Sequence, residues 1–133
     1  MEAKVSSTPC MSGDTLDDQV GDSSFEQDVY RKAIGCLLYT ATCTRPDISF
    51  AVGELSKFCN NPSQGNWKNV KRVMRYLKYT SDLKLTYFRL GSGVKVFCDA
   101  DWANNKNYSK SIGGYVVIMG GGAVCWKTRN SSW

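Results

Sequence analysis

"RYLKYTSDLKLTYFRL", Arg75 to Leu90, is where the hydrophobic period of the chain changes, and the fold class follows from that change. Before it, apolar residues recur three and four apart, the repeat of a helix with one buried face. From Leu83 onward they alternate, the repeat of a strand.

Working back, "SQGNWKNVKRVMRYLKYT" reads as a helix opened by Ser63, with Trp67, Val70, Val73, Met74 and Leu77 on one face. An earlier start has Thr44 as N-cap, Pro46 in the first turn and Asp47 where the helix dipole favours an anion. Its apolar stripe, Ile48, Ala51, Val52, Leu55, Phe58 and Cys59, stops at Asn60-Asn61-Pro62. A first helix, Phe25 to Thr42, is predicted from a Ser24-x-x-Gln27 capping box and the recurrence of Val29, Ala33, Ile34, Leu37 and Leu38. Working forward, "LKLTYFRL" and "VKVFCD" alternate, "GGYVVIMG" is β-branched, "GGG" turns and "AVCW" closes the series. No helical crossover separates these strands, so they predict an antiparallel meander. The expected class is α+β: a three-helix bundle over residues 25–80, then strands over residues 81–133, preceded by a flexible acidic lead-in over residues 1–24.

Charge divides along the same lines. Met1 to Asp28 holds seven acidic residues against the single Lys4, whereas from Val29 onward sixteen Lys and Arg face five Asp and Glu. That asymmetry points to a polyanionic partner. On the third helix Lys68, Lys71, Arg72, Arg75 and Lys78 fall opposite the apolar face, with no acidic residue between them. Such a stripe is either a solvated helix face or a track for a phosphate backbone, and it carries no sign of base-specific readout.

Several chemistries are excluded. The chain has no histidine and no C-x-x-C pair, which argues against a structural zinc site and removes Ser-His and Cys-His nucleophiles. Its six cysteines, four of them inside apolar periodic segments, are expected to be buried and reduced. No apolar run approaches the roughly 20 residues of a membrane span, and "MEAKVSSTPC" lacks the layout of a signal peptide, so an intracellular, soluble chain without membrane contact is expected.

Carboxylates remain the candidate agents. "VFCDADWANN" carries Asp99 and Asp101 at what reads as a strand end. Two residues apart on an extended chain, their side chains leave one face about 6.5–7 Å apart. That suits carboxylates that share a divalent ion such as Mg²⁺ with donors from elsewhere. Asp101 taken alone reads more readily as the opening of an Asx turn into Asn104-Asn105.

These blocks carry a family resemblance. "YRKAIGCLLYTATCTRPDISFAVGELSKF", "NWKNVKRVMRYLKYTSDLKLTY", "VFCDADWA" and "SIGGYVVIMGGGAVCWKT", in that order, resemble the Pol polyprotein of copia-type LTR retrotransposons from the end of the reverse transcriptase into its ribonuclease H domain. "STPC" near the start is similar to a Thr-Pro stretch that precedes this segment in the family. The resemblance implies that Asp99 is the catalytic, magnesium-binding aspartate of the first ribonuclease H strand, with Asp101 matching the block's second aspartate. It implies that the three helices are thumb-like and touch an RNA–DNA hybrid or template–primer duplex. It further implies the rest of the polyprotein as a partner, and a cytoplasmic, particle-associated or nuclear location.

The family's next block, Ser-Thr-x-Glu-Ala-Glu-Tyr, supplies the second catalytic carboxylate, and "RNSSW" comes before it. The paired aspartates of the polymerase palm are likewise absent from the sequence. Polymerase and ribonuclease H activity are therefore expected of the parent polyprotein and not of this chain alone. A noncatalytic nucleic-acid-binding module and a functionless element remnant are the alternatives. Tyr108 and Ser109 stand where the family usually has Asp-Arg, a sign of drift. "VKVFCDA" without its covering elements is expected to leave an open edge and a bare apolar face.

Overall fold

The computed structural model describes residues 7–9, 27–89, 93–105 and 110–131. The chain forms an α+β fold, three helices followed by a three-stranded antiparallel sheet. It falls into two units, Met1–Leu83 and Lys84–Trp133.

In the helical unit, α1 (Gln27–Cys43) buries Tyr30, Ile34, Leu37 and Ala41. These positions are four, three and four apart and share one face. Val29 and Leu38, expected on that face, are exposed, because the stripe centres on Tyr30 and they fall to either side of it. Gln27 sends its side-chain amide to the carbonyls of Cys59 and Asn60, and Ser24, the other half of the predicted capping box, lies outside the described residues. Arg31 adds bonds to the Cys59 carbonyl and to Asn60 Oδ1, which ties the start of α1 to the turn after the second helix.

The second predicted helix is broken into a 3₁₀ turn, Pro46–Ile48, and α2 (Ser49–Ser56). Arg45, not Thr44, occupies the N-cap, and no side chain caps it. Pro46 stands in the first turn, where its missing N–H costs no helical bond. Ile48, Ala51, Val52 and Leu55 are buried as their spacing predicts.

Ser63 caps α3 (Gln64–Tyr79), accepting from the Asn66 N–H at 3.1 Å. Val70, Val73 and Tyr76 complete the core, and Trp67 and Leu77 pack against it. Met74 is exposed and Tyr76 buried, the reverse of the expected face, so the buried stripe is turned toward Tyr76. Inside this core the Tyr30 hydroxyl donates to the Leu55 carbonyl at 2.8 Å, and burial pushes its ionisation upward.

The second unit is a meander of β1 (Lys95–Asn105), β2 (Lys110–Met119) and β3 (Gly122–Ser131), in the order β1-β2-β3. The β2–β3 hairpin turns on Gly120 and Gly121, whose φ values of 61° and 85° demand residues without a Cβ. "LKLTYFRL" forms no strand within Leu83–Arg89. One main-chain bond, Phe88 N–H to the Gly120 carbonyl, holds it against the hairpin turn, helped by the Tyr87 hydroxyl on the Ala123 carbonyl. The segment therefore braces the turn without extending the ladder. Around Gly122 this brace is tight: a Cβ there would lie 2.7 Å from the Tyr87 ring and 2.8 Å from the Thr86 carbonyl.

The cysteines depart from expectation. Cys36, Cys43, Cys98 and Cys125 are free but exposed, and only Cys59 among the described ones is half-buried. They sit on the flanks of periodic segments, so periodicity alone overstates their burial. Cys10 lies outside the described residues.

Candidate nucleic-acid interface

The five cations of α3 sit on the side opposite Val70 and Val73. At 100° per residue they cover an arc of about 120°. Lys68, Lys71 and Lys78 are exposed, and Arg72 and Arg75 are half-buried, their stems lying along the helix. Among the described residues none of the five is ion-paired; the two ion pairs are Arg45–Asp47 and Lys57–Glu54. Among the described residues the stripe is therefore a field of unneutralised charge. Two of its arginines stand out. Arg72 donates from Nε to the Thr8 carbonyl at 3.2 Å and from Nη2 to Thr8 Oγ1 at 3.0 Å. Arg75 has its Nε buried with no hydrogen-bond partner among the described residues.

A polar lock fixes the C-terminal end of this helix. Arg45 grips Asp47 with two bonds, Nε to Oδ1 at 2.9 Å and Nη2 to Oδ2 at 2.7 Å. The same guanidinium donates to the Thr80 carbonyl and to Thr80 Oγ1 and lies over the Tyr76 ring, 5.5 Å from its centre. The Tyr76 hydroxyl donates to Asp47 Oδ2 at 2.8 Å. A cation beside the last carbonyls of α3 also complements the helix dipole. Burial alone would raise the Asp47 carboxyl, but the bonds from Arg45 and Tyr76 outweigh it and hold the group below the usual carboxylate range. For Tyr76 the same lock works in the other direction, with burial first and the Asp47 bond second, and its ionisation is raised. Sequence reading saw Asp47 only as a dipole partner. The available signal was Arg45 and Asp47 flanking Pro46, a spacing that lets both side chains meet on one side of the turn.

Asp99 stands inside β1, opposite Gly114 of β2, and is exposed. The strand does not end at the aspartates. It continues to Asn105, with an irregularity between Asp101 and Asn105, and the Asp101 backbone pairs with Ile112. Among the described residues no three His, Cys, Asp or Glu side chains gather where they could hold a metal ion. Tyr108 and Ser109 lie outside the described residues.

The retrovirus-related Pol polyprotein from transposon TNT 1-94 of Nicotiana tabacum is 39% identical over 100 residues, 75% of this chain. The Pol polyprotein from transposon RE2 of Arabidopsis thaliana is 33% identical over 131 residues, 97% of the chain. This chain belongs to the copia-type retrotransposon Pol family. It spans only 8% and 9% of those two Pol polyproteins, and so corresponds to a part of a Pol protein. A shorter relative, the secreted RxLR effector protein 161 of Plasmopara viticola, is 39% identical over 101 residues, which cover 75% of this chain and 71% of that protein. No family model and no solved structure matches the chain. Among the described residues no helix of this Pol segment is long and apolar enough to cross a membrane.

Proposed function

We propose that this segment serves a Pol polyprotein as the helical element that grips a nucleic-acid duplex by its backbone, joined to the opening strands of a ribonuclease H-like domain. The observation that carries the reading is the α3 stripe: five cations on one face, none ion-paired among the described residues, on a helix whose other face is locked into a core. Lys and Arg in this arrangement contact phosphates and displace counterions, so affinity comes without sequence preference. RNA-directed DNA synthesis and magnesium-dependent cleavage belong, on this reading, to the complete polyprotein. Asp99 contributes one carboxylate to the magnesium site there, with Asp101 beside it on the strand. Alone, the chain binds a heteroduplex without cutting it.

Fluorescence anisotropy with a labelled RNA–DNA hybrid tests the reading. If about four phosphates are contacted, the logarithm of affinity falls with a slope of about −3.6 against the logarithm of salt, roughly a hundredfold between 50 and 200 mM. Arg72→Glu with Arg75→Glu abolishes binding and Asp99→Asn leaves it intact. A flat salt response, or cleavage of the hybrid when magnesium is added to the chain alone, refutes the reading.

A further inference from the structure

The Ser7-Thr8-Pro9 segment meets the basic stripe at Arg72, and Thr8 there has the chemistry of a modification site. Of the three prolines in the chain, Pro46 follows an arginine and Pro62 an asparagine, and only Pro9 follows a hydroxyl-bearing residue. A threonine directly before proline is what proline-directed protein kinases select, since their substrate pocket favours a residue lacking an N–H at that position. Thr8 is exposed. Its hydroxyl accepts from Arg72 Nη2 at 3.0 Å while its carbonyl accepts from Arg72 Nε, so the guanidinium already faces the oxygen that a kinase would modify.

A guanidinium carries five N–H donors in a fixed fork, of which these two bonds use two. One turn further along the helix, Arg75 holds a buried Nε with no partner among the described residues. Lys68 and Lys71 are exposed one turn and one residue before Arg72, and α3 contains no carboxylate. A phosphate on Thr8 would bring about −1.5 to −2 charges and three acceptor oxygens to this spot.

We propose that Thr8 is a phosphoacceptor and that its phosphate docks on Arg72 within the α3 basic stripe. In the modification step the threonine oxygen attacks the terminal phosphorus of ATP. The new O–P bond forms as the bond to the ADP oxygen breaks, and the hydroxyl proton passes to the kinase's base. Docking is intramolecular, so the tethered phosphate meets the stripe at high effective concentration. Resting on the proposed duplex-binding role, the consequence is regulatory: the phosphate occupies the cations that would otherwise hold a nucleic-acid backbone.

The test treats the full chain with a purified proline-directed kinase and ATP–magnesium, and follows it by intact mass and ³¹P NMR. One phosphate is expected, lost in Thr8→Ala and in Pro9→Ala. Its second ionisation is expected to fall below that of a phosphorylated peptide spanning Met1 to Pro9, because the guanidinium favours the dianion, and Arg72→Gln should return it to the peptide value. Affinity for the RNA–DNA hybrid should drop about tenfold on phosphorylation, the equivalent of one or two lost phosphate contacts. Failure to phosphorylate Thr8 overturns the proposal, as does a phosphate that titrates as it does in the peptide with Arg72 in place. A lowered ionisation in a chain whose unmodified form binds no hybrid upholds the docking and overturns the duplex-binding reading instead.

Discussion

Asp47→Asn should destabilise the helical unit by about 1–2 kcal/mol at neutral pH, and most of that loss should vanish in acid. The carboxylate receives two bonds from Arg45 and one from Tyr76, all between 2.7 and 2.9 Å. Bidentate, charge-assisted bonds of this kind are the strong ones, but the Asp47 side chain is 32% exposed and solvent screening discounts the pair. Asparagine keeps the shape and one acceptor while removing the charge and one arm of the fork. In the folded chain the carboxyl sits below its ordinary range, so its contribution is complete above the unfolded value of about 3.9 and is lost as pH falls through the folded value. Urea unfolding followed by helical circular dichroism at pH 7 and pH 3, for both proteins, isolates the effect because the other carboxylates titrate in each. A gap of equal size at both pH values would show that packing, not charge, is responsible. No gap at pH 7 would show that the lock contributes nothing.

Three further outcomes are expected. Tyr30→Phe should cost only about 1 kcal/mol by the same unfolding assay despite complete burial of the ring, because the Leu55 carbonyl keeps the Phe58 N–H at 3.2 Å as a second donor. Ile34→Ala should cost about 2–5 kcal/mol by the same assay, since the site is 2% exposed and closely packed. Gly120→Ala should melt the sheet at lower temperature than Gly113→Ala. At 120 a positive φ and a Cβ only 2.8 Å from the Phe88 carbonyl combine, whereas at 113 the nearest atom is 3.9 Å away; equal melting would refute the bracing of the hairpin by Phe88.

What the sequence made legible tracks what depends on local pattern. The helix with its Ser63 cap, the Ala51-Val52-Leu55 stripe and the glycine turn each follow from a few neighbouring residues, and each stands where the pattern puts it. Misreadings occur where distant residues decide. Tyr76 is buried although the helical repeat does not place it among the apolar residues, because its hydroxyl finds a partner in Asp47, 29 residues away. "LKLTYFRL" has the alternation of a strand, yet among its described residues only the Phe88 N–H finds a ladder-like partner, at the Gly120–Gly122 turn that packs against Thr86 to Phe88. The Arg72–Thr8 contact spans 64 residues and left no trace in local spacing. The basic stripe itself was fully legible, since like charges at helical spacing need no knowledge of the fold.

The two units differ in what they do with their apolar residues, and this bears on Asp99. The helical unit places its core residues at or below 8% exposure. In β1, by contrast, Val96 is 60% and Phe97 55% exposed. Successive residues of a strand point to opposite faces, so β1 carries exposed apolar side chains on both faces, and among the described residues the order β1-β2-β3 leaves its outer edge unpaired. Met119 and Val124 add exposed apolar surface on the neighbouring strands. A three-stranded sheet is near the lower limit of independent stability, and exposed apolar area of this kind favours association. An aspartate on such a strand lies in water, where one carboxylate competes poorly for a strongly hydrated divalent ion. Covering β1 would lower the local dielectric and bring other oxygen donors to the same face. On the proposed reading, cover and donors arrive together from the rest of the Pol protein, which is why the α3 stripe acts in the isolated chain and Asp99 does not.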